Sequence, residues 1–159
     1  MVLDRHHVEI LEALQRDARL SVQQLAERTG QPATSCWRRL KELQDAGVIL
    51  RQVTLVDGRR AGVAEVVFAR VRLASHQDDL VRRFEREMLA RDEILECYPL
   101  MGDADYLLKI AVPGVAAYND FVQGFLLKLP GVAQVTSSFA LREVKNETAL
   151  PLRRYAGRD

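Results

Sequence analysis

SVQQLAERTGQPATSCWRRLKEL, residues 21–43, is the stretch whose reading decides the fold. Ser21 has the chemistry of a helix N-cap, and Gln24 three positions later completes a capping-box pattern. Val22, Leu25 and Ala26 give the short helix that follows its apolar side. Gly30-Gln31-Pro32 then stops it, because glycine suits the left-handed position past a helix end and proline cannot extend one. A further helix is expected over 33–46, ending at Gly47. On a wheel of 100° per residue with Cys36 at zero, Leu40 and Leu43 fall within about 40° of it. Thr34, Ser35, Arg38, Lys41 and Glu42 lie opposite, at roughly 140–260°, with Trp37 and Arg39 on the two flanks. Such a helix packs by one stripe and offers hydroxyls and cations on the other side. That division suits a recognition helix, whose first residues reach base edges while cations neutralise phosphates.

Working outward, residues 4–15 carry Val8, Ile10, Leu11 and Leu14 near helical spacing. With the polar connector 16–19 they complete a three-helix unit with a tight turn before the last helix, the requirement for a helix-turn-helix. Taken alone, Arg38, Arg39 and Lys41 also fit a merely solvated helix face; the helix and turn before them favour DNA. Trp37 is expected partly in the core. The candidate DNA-contacting residues are Ser21, Thr34, Ser35, Arg38, Arg39 and Lys41. Arg51, Arg59 and Arg60 either add phosphate contacts from a wing or linker or only solvate it.

Beyond residue 50 the periodicity changes. Residues 51–56 alternate like a strand and Asp57-Gly58 signals a turn, so a linker strand or hinge is placed at 51–62. From residue 63 the expected elements are a strand over 63–73, a charged amphipathic helix over 77–90 and a strand over 94–101. A strand over 106–112, a helix from Pro113 to about residue 128 and a long strand over 132–144 follow. The order β-α-β-β-α-β is ferredoxin-like, with two helices on one face of an antiparallel sheet. The fold class is therefore α+β: a helix-turn-helix domain at 1–50 and a ferredoxin-like domain at 63–159.

Composition sets bounds on function. The 159 residues are 48% hydrophobic and 28% charged, with a net charge of +1, which excludes a disordered chain. No apolar run approaches a membrane span and no secretory signal opens the chain, so a cytoplasmic protein is expected. Cys36 and Cys97 read as buried free thiols, and His6, His7 and His76 stand at no metal-ligand spacing. Residues 1–62 hold ten Lys/Arg against eight Asp/Glu, a net of only +2. One such head binds DNA weakly, so affinity has to come from several heads on spaced half-sites, which implies a homo-oligomer.

The arrangement closely resembles the leucine-responsive/asparagine-regulator (Lrp/AsnC) family of transcriptional regulators. The residues that carry the resemblance are Ala18-Arg19-Leu20-Ser21, then Cys36 to Leu43 and Gly47-Val48-Ile49. In the second half they are Glu96-Cys97-Tyr98, Gly102 to Leu108, Leu129-Pro130-Gly131-Val132 and the run 144–152. The resemblance implies a dimer joined through the C-terminal sheets, commonly built into an octamer, with an amino acid or related metabolite bound between C-terminal domains. One departure is Leu50-Arg51-Gln52-Val53, which lacks the glycine-aromatic pair expected at the family's linking strand.

Gly102-Asp103-Ala104-Asp105-Tyr106 concentrates polar groups at a strand connection. Gly102 permits close backbone approach, a carboxylate accepts a ligand's ammonium, and turn N–H groups hold its carboxylate. The residues alone equally describe an Asp-rich hairpin turn. The family resemblance makes Met101, Gly102, Asp103, Asp105 and Tyr106 the candidate effector-binding residues, completed from a neighbouring subunit by Thr136, Ser137 and Ser138. Asp103 and Asp105 are not read as an acid–base pair, because wet turn carboxylates lack the burial such work needs. Neither a nucleophile–His–acid set nor a phosphate-binding glycine loop in strand-to-helix setting accompanies them. No catalytic residue, no metal and no cofactor beyond a small effector is expected.

Double-stranded DNA, an amino-acid-like effector and copies of the chain itself are the implied partners. The leading expectation is a ligand-responsive, sequence-specific regulator. The alternatives are an architectural DNA-wrapping protein with little ligand control, or a metabolite-binding or enzymatic module whose head only contacts protein.

Overall fold

The computed structural model describes residues 1–155, which divide into two units. The first contains Met1–Thr54 together with residues 145–155; the second is Leu55–Val144.

In the first unit, α1 (Arg5–Arg16) starts at Asp4, whose carboxylate accepts from the His7 N–H at 2.8 Å. α2 (Val22–Thr29) opens with the anticipated capping box: Ser21 Oγ accepts from the Gln24 N–H at 3.2 Å, and Gln24 Oε1 accepts from the Ser21 N–H at 2.8 Å. Each bond satisfies a donor that the first helical turn leaves unpaired. Gly30 ends α2 at φ +66°, a left-handed conformation open to glycine without a side-chain clash. After Pro32, α3 (Ala33–Asp45) begins. Ile10, Leu11 and Ala13 of α1, Leu25 of α2, and Cys36 and Leu43 of α3 form the buried core, with Leu40 half-buried against it. The stripe expected from the wheel is the stripe that packs.

The second unit runs β1 (Glu65–Leu73), α4 (Asp78–Leu89), β2 (Ile94–Pro99), β3 (Tyr106–Val112), α5 (Val115–Gly124), a 3-10 turn at Leu126–Lys128, and β4 (Val132–Phe139). The strands lie in the order β2-β3-β1-β4 and every neighbouring pair is antiparallel. Period-two alternation sorts their side chains onto two faces. Val67, Ala69 and Val71 of β1 and Leu108, Ile110 and Val112 of β3 are buried with Phe84 and Met88 of α4 and Tyr118 and Phe121 of α5. Phe68, Arg70 and Arg72 point the other way and are exposed.

Three expectations are corrected. Residues 51–56 form no strand and are exposed, Leu55 to 71%. Alternation gives a segment two faces, but a strand also needs a backbone partner, and none of the described residues supplies one. The final strand stops at Phe139 rather than running to residue 144. The C-terminal domain also does not extend through the chain end: residues 145–155 belong with the first unit. There Leu152, in the short α6 (Leu152–Tyr155), joins the head's core. Arg153 meets Glu12 of α1 at 2.6 Å, and the Leu150 N–H donates to Gln15 Oε1 at 2.6 Å. Residues 156–159, included in the expected domain, lie outside the described ones. Among the described residues no helix is long and apolar enough to cross a membrane.

Candidate DNA-reading surface and effector loop

α3 places its candidates unequally. Thr34, Arg38 and Lys41 are exposed, Ser35 is half-buried, and all four lie off the packed stripe. Ser21 is exposed, but its hydroxyl already caps α2. Arg39 is a correction. Its side chain is only 16% exposed, with Nη2 3.8 Å from the Asp4 carboxylate and Nη1 donating to Gln31 Oε1 at 3.4 Å. It braces the head from inside, because α1 and the turn before α3 cover that flank of the helix. Trp37, expected partly in the core, is instead 57% exposed, with the Lys41 ammonium 5.7 Å from its ring centroid.

Behind the outward face is a group of charges that residue spacing did not reveal. His7 is buried between two carboxylates, Nδ1 2.7 Å from Asp4 and Nε2 3.2 Å from Glu42 of α3. Glu42 also takes the Arg38 guanidinium across one turn of α3. The His7 bond foremost, and Arg38 after it, hold the Glu42 carboxyl below its ordinary range against the opposing cost of lost water. Arg38 therefore enters any DNA contact already ion-paired, whereas Lys41 makes no ion pair among the described residues.

In the second unit the β2–β3 connection is a closed turn. The Leu100 N–H donates to the Asp105 carbonyl at 2.8 Å and the Asp105 N–H to the Val71 carbonyl at 2.9 Å. Gly102 sits at φ +145°, Met101 is fully exposed, and Asp103 is exposed without a hydrogen bond or ion pair to the described residues. Asp105 is different. Its Oδ2 accepts from the Leu73 N–H at 2.6 Å and its Oδ1 lies 2.6 Å from His76 Nε2, so the carboxylate pins the turn to the end of β1. Those bonds, His76 first and then the Leu73 N–H, hold its carboxyl below the ordinary aspartate value.

A pH dependence follows from that depressed value. The stabilisation is fully present above the unfolded-state pKa and is lost as pH falls through the folded one. Urea midpoints of the chain should therefore fall as pH drops below about 4, and Asp105→Asn should remove part of that slope. Identical slopes for the two proteins would show that Asp105 contributes none of it.

Tyr106 is likewise turned inward. It is buried, its hydroxyl donates to Glu85 Oε1 at 2.8 Å, and burial together with that carboxylate pushes its phenol far above the ordinary range. It borders a groove of about 350 Å³ between α4 and β2, lined also by Met88, Ile94 and Cys97. Cys97 is half-buried there, and burial raises its thiol pKa; Cys36 is fully buried in the head.

Thr136, Ser137 and Ser138 do not act as one group. They pair with Arg70, Ala69 and Phe68 of β1, so Thr136 and Ser138 lie on the open face. Ser137 faces the helices, where its hydroxyl bonds that of Tyr118. Because β1 separates β3 from β4, these residues and the 101–106 turn do not meet within one chain.

Comparison with known proteins finds a family model for the body of each unit. Residues 3–49 match the model of a winged helix-turn-helix DNA-binding domain, and residues 66–150 match the Lrp/AsnC ligand binding domain. The chain is 37% identical over 150 residues to the Bkd operon transcriptional regulator of Pseudomonas aeruginosa, covering 94% of this chain and 98% of that one. It is 36% identical over 150 residues to the glutamate uptake regulatory protein of Zymomonas mobilis, covering 94% and 91%. A crystal structure of a Neisseria meningitidis transcriptional regulator in complex with L-methionine superposes with a TM-score of 0.92 at 34% identity, covering 96% of this chain and 99% of that one. A DNA-binding head, an effector-domain sheet and relatives alike over nearly their full length make this chain a transcriptional regulator of the Lrp/AsnC family.

Proposed function

We propose that this regulator reads DNA with the outward face of α3 and binds an amino acid or closely related metabolite where C-terminal units of neighbouring subunits meet, binding that alters DNA affinity or assembly. The observation that carries the reading is the division of α3. Cys36 and Leu43 are buried, while Thr34, Arg38 and Lys41 are exposed and stand outside the head's core. The Neisseria relative solved with L-methionine supports an amino-acid effector.

The effector site centres on Met101, Gly102 and Asp103, with the open-face residues Thr136 and Ser138 of a second subunit; Asp105 and Tyr106 shape the turn from behind. Asp103 carries an exposed carboxylate, unbonded among the described residues, for a ligand ammonium, and Gly102 leaves the turn backbone approachable. The working species is a homodimer or an octamer of such dimers in the cytoplasm. It is supported by the open sheet face, where Phe68, Arg70, Thr136 and Ser138 are exposed, and by the small net charge of each head. No catalytic step is assigned to it.

DNase footprinting on genomic fragments recovered with the purified chain, with a thermal-shift screen of the standard amino acids, tests this reading. Phased or palindromic protection is expected, changed by an amino acid that also raises the melting temperature. Absence of protection on every fragment would remove the DNA-reading assignment; protection that no amino acid alters would remove the effector assignment.

A further inference from the structure

Trp37 is the only tryptophan in the chain, and it is 57% exposed on a helix whose other apolar residues, Cys36, Leu40 and Leu43, turn inward. A single exposed apolar side chain is ordinary on a protein surface; Trp37 stands apart because it shares its face of α3 with a hydroxyl and two cations, Thr34, Arg38 and Lys41. Its neighbours decide which occupant fits. Lys41 lies one turn on, with its ammonium 5.7 Å from the ring centroid, near the outer limit of a cation–π contact. Thr34 and Arg38 are exposed beside it on the same helix. An apolar protein partner seated on the indole would strip water from Lys41 and Arg38 without pairing them. A DNA duplex meets both demands at once, with phosphates for the cations and thymine 5-methyl groups for the indole. Trp37 also lies in the first half of α3, the half of a recognition helix that reaches base edges.

We propose that Trp37 is a specificity-determining residue of the DNA-reading surface, its indole lying against thymine methyl groups in the major groove while Lys41, held over the ring, takes an adjacent phosphate. The inference rests on the DNA-reading function above and adds to it a preference for A·T pairs at the positions Trp37 covers. It also explains why an apolar residue stands on this face: the thymine methyl is the one apolar feature by which the major groove distinguishes a base pair.

The test uses the full chain and two pools of random duplexes of about 30 bp, long enough for two half-sites one helical turn apart. One pool contains thymine; the other has every thymine replaced by uracil, which removes only the methyl groups. Anisotropy of end-labelled duplex reports binding. Emission from the single tryptophan, quenched by acrylamide on unlabelled duplex, reports contact with Trp37 itself.

Saturating thymine duplex is expected to protect Trp37 from acrylamide. The protein should bind the uracil pool about fivefold or more weakly than the thymine pool. Trp37→Ala should bind both pools equally, at the weaker level, with an unchanged melting temperature, and Trp37→Phe should keep part of the thymine preference. If anisotropy saturates while quenching is unaltered, or if Trp37→Ala still prefers thymine, the inference fails and the DNA-reading function stands. If anisotropy never rises, both fail. Protection that grows with protein concentration in the absence of DNA would assign the indole to a contact between copies and overturn the inference.

Discussion

Replacing Arg38 and Lys41 together by alanine is expected to lower the slope of log K against log salt by about two for each head engaged on the duplex. Both side chains are exposed and neither contributes to the core, so the melting temperature should hold. The two singles will differ. Arg38 must exchange the Glu42 carboxylate for a phosphate, and Glu42 is itself held by His7 from α1. Part of its Coulombic gain is therefore offset on binding, and Lys41→Ala should cause the larger loss. Arg39→Ala is the internal control. It removes the contacts to Asp4 and Gln31 and should lower stability by about 1–2 kcal/mol while leaving the salt slope in place. Measured isotherms over a range of salt, beside urea melts, separate the three. An unchanged slope in the double variant would show that these cations face no phosphate.

The second large effect concerns the β2–β3 turn. Asp103→Asn is expected to abolish the response of DNA binding to the effector without altering the urea midpoint, since Asp103 is exposed and bonds to none of the described residues. Asp105→Ala will look similar in a binding assay for another reason. It leaves the Leu73 N–H without its acceptor and frees His76, at a cost of about 1–3 kcal/mol. Loss of response in that variant reports a loosened turn rather than a lost ligand contact. Calorimetry with the amino acid that gives the largest thermal shift, run on both variants beside urea melts, separates the two. A normal response from Asp103→Asn would take the effector away from this turn.

How far the sequence was legible depends on whether local chemistry or tertiary packing fixes the feature. The Ser21–Gln24 capping box, the left-handed Gly30 and the strict alternation of Tyr106–Val112 depend on a few adjacent residues, and each stands where spacing puts it. Arg39 and Trp37 were misplaced for one reason. A wheel puts them on opposite flanks of the apolar stripe, and only the docking of α1 and the turn before α3 determines which flank is covered. The structural role of Asp105 is invisible locally because the groups that engage its oxygens, the Leu73 N–H and His76, stand about thirty residues earlier in the chain. Ser137 parts from Thr136 and Ser138 because alternation along β4 turns it to the helix face, where Tyr118 holds it. The 145–155 segment carries no local mark of belonging with the head; its attachment is made by Leu150, Leu152 and Arg153 against α1.

The account depends most on the outward face of α3 being the surface that meets DNA. Backbone amide shifts of the full chain, followed by NMR during titration with a duplex recovered by footprinting, test it most directly. The largest changes are predicted at Thr34, Ser35, Trp37, Arg38 and Lys41, with His7, Leu25 and Leu43 nearly still. Shifts confined to the sheet of the second unit, with α3 silent at saturation, would contradict it.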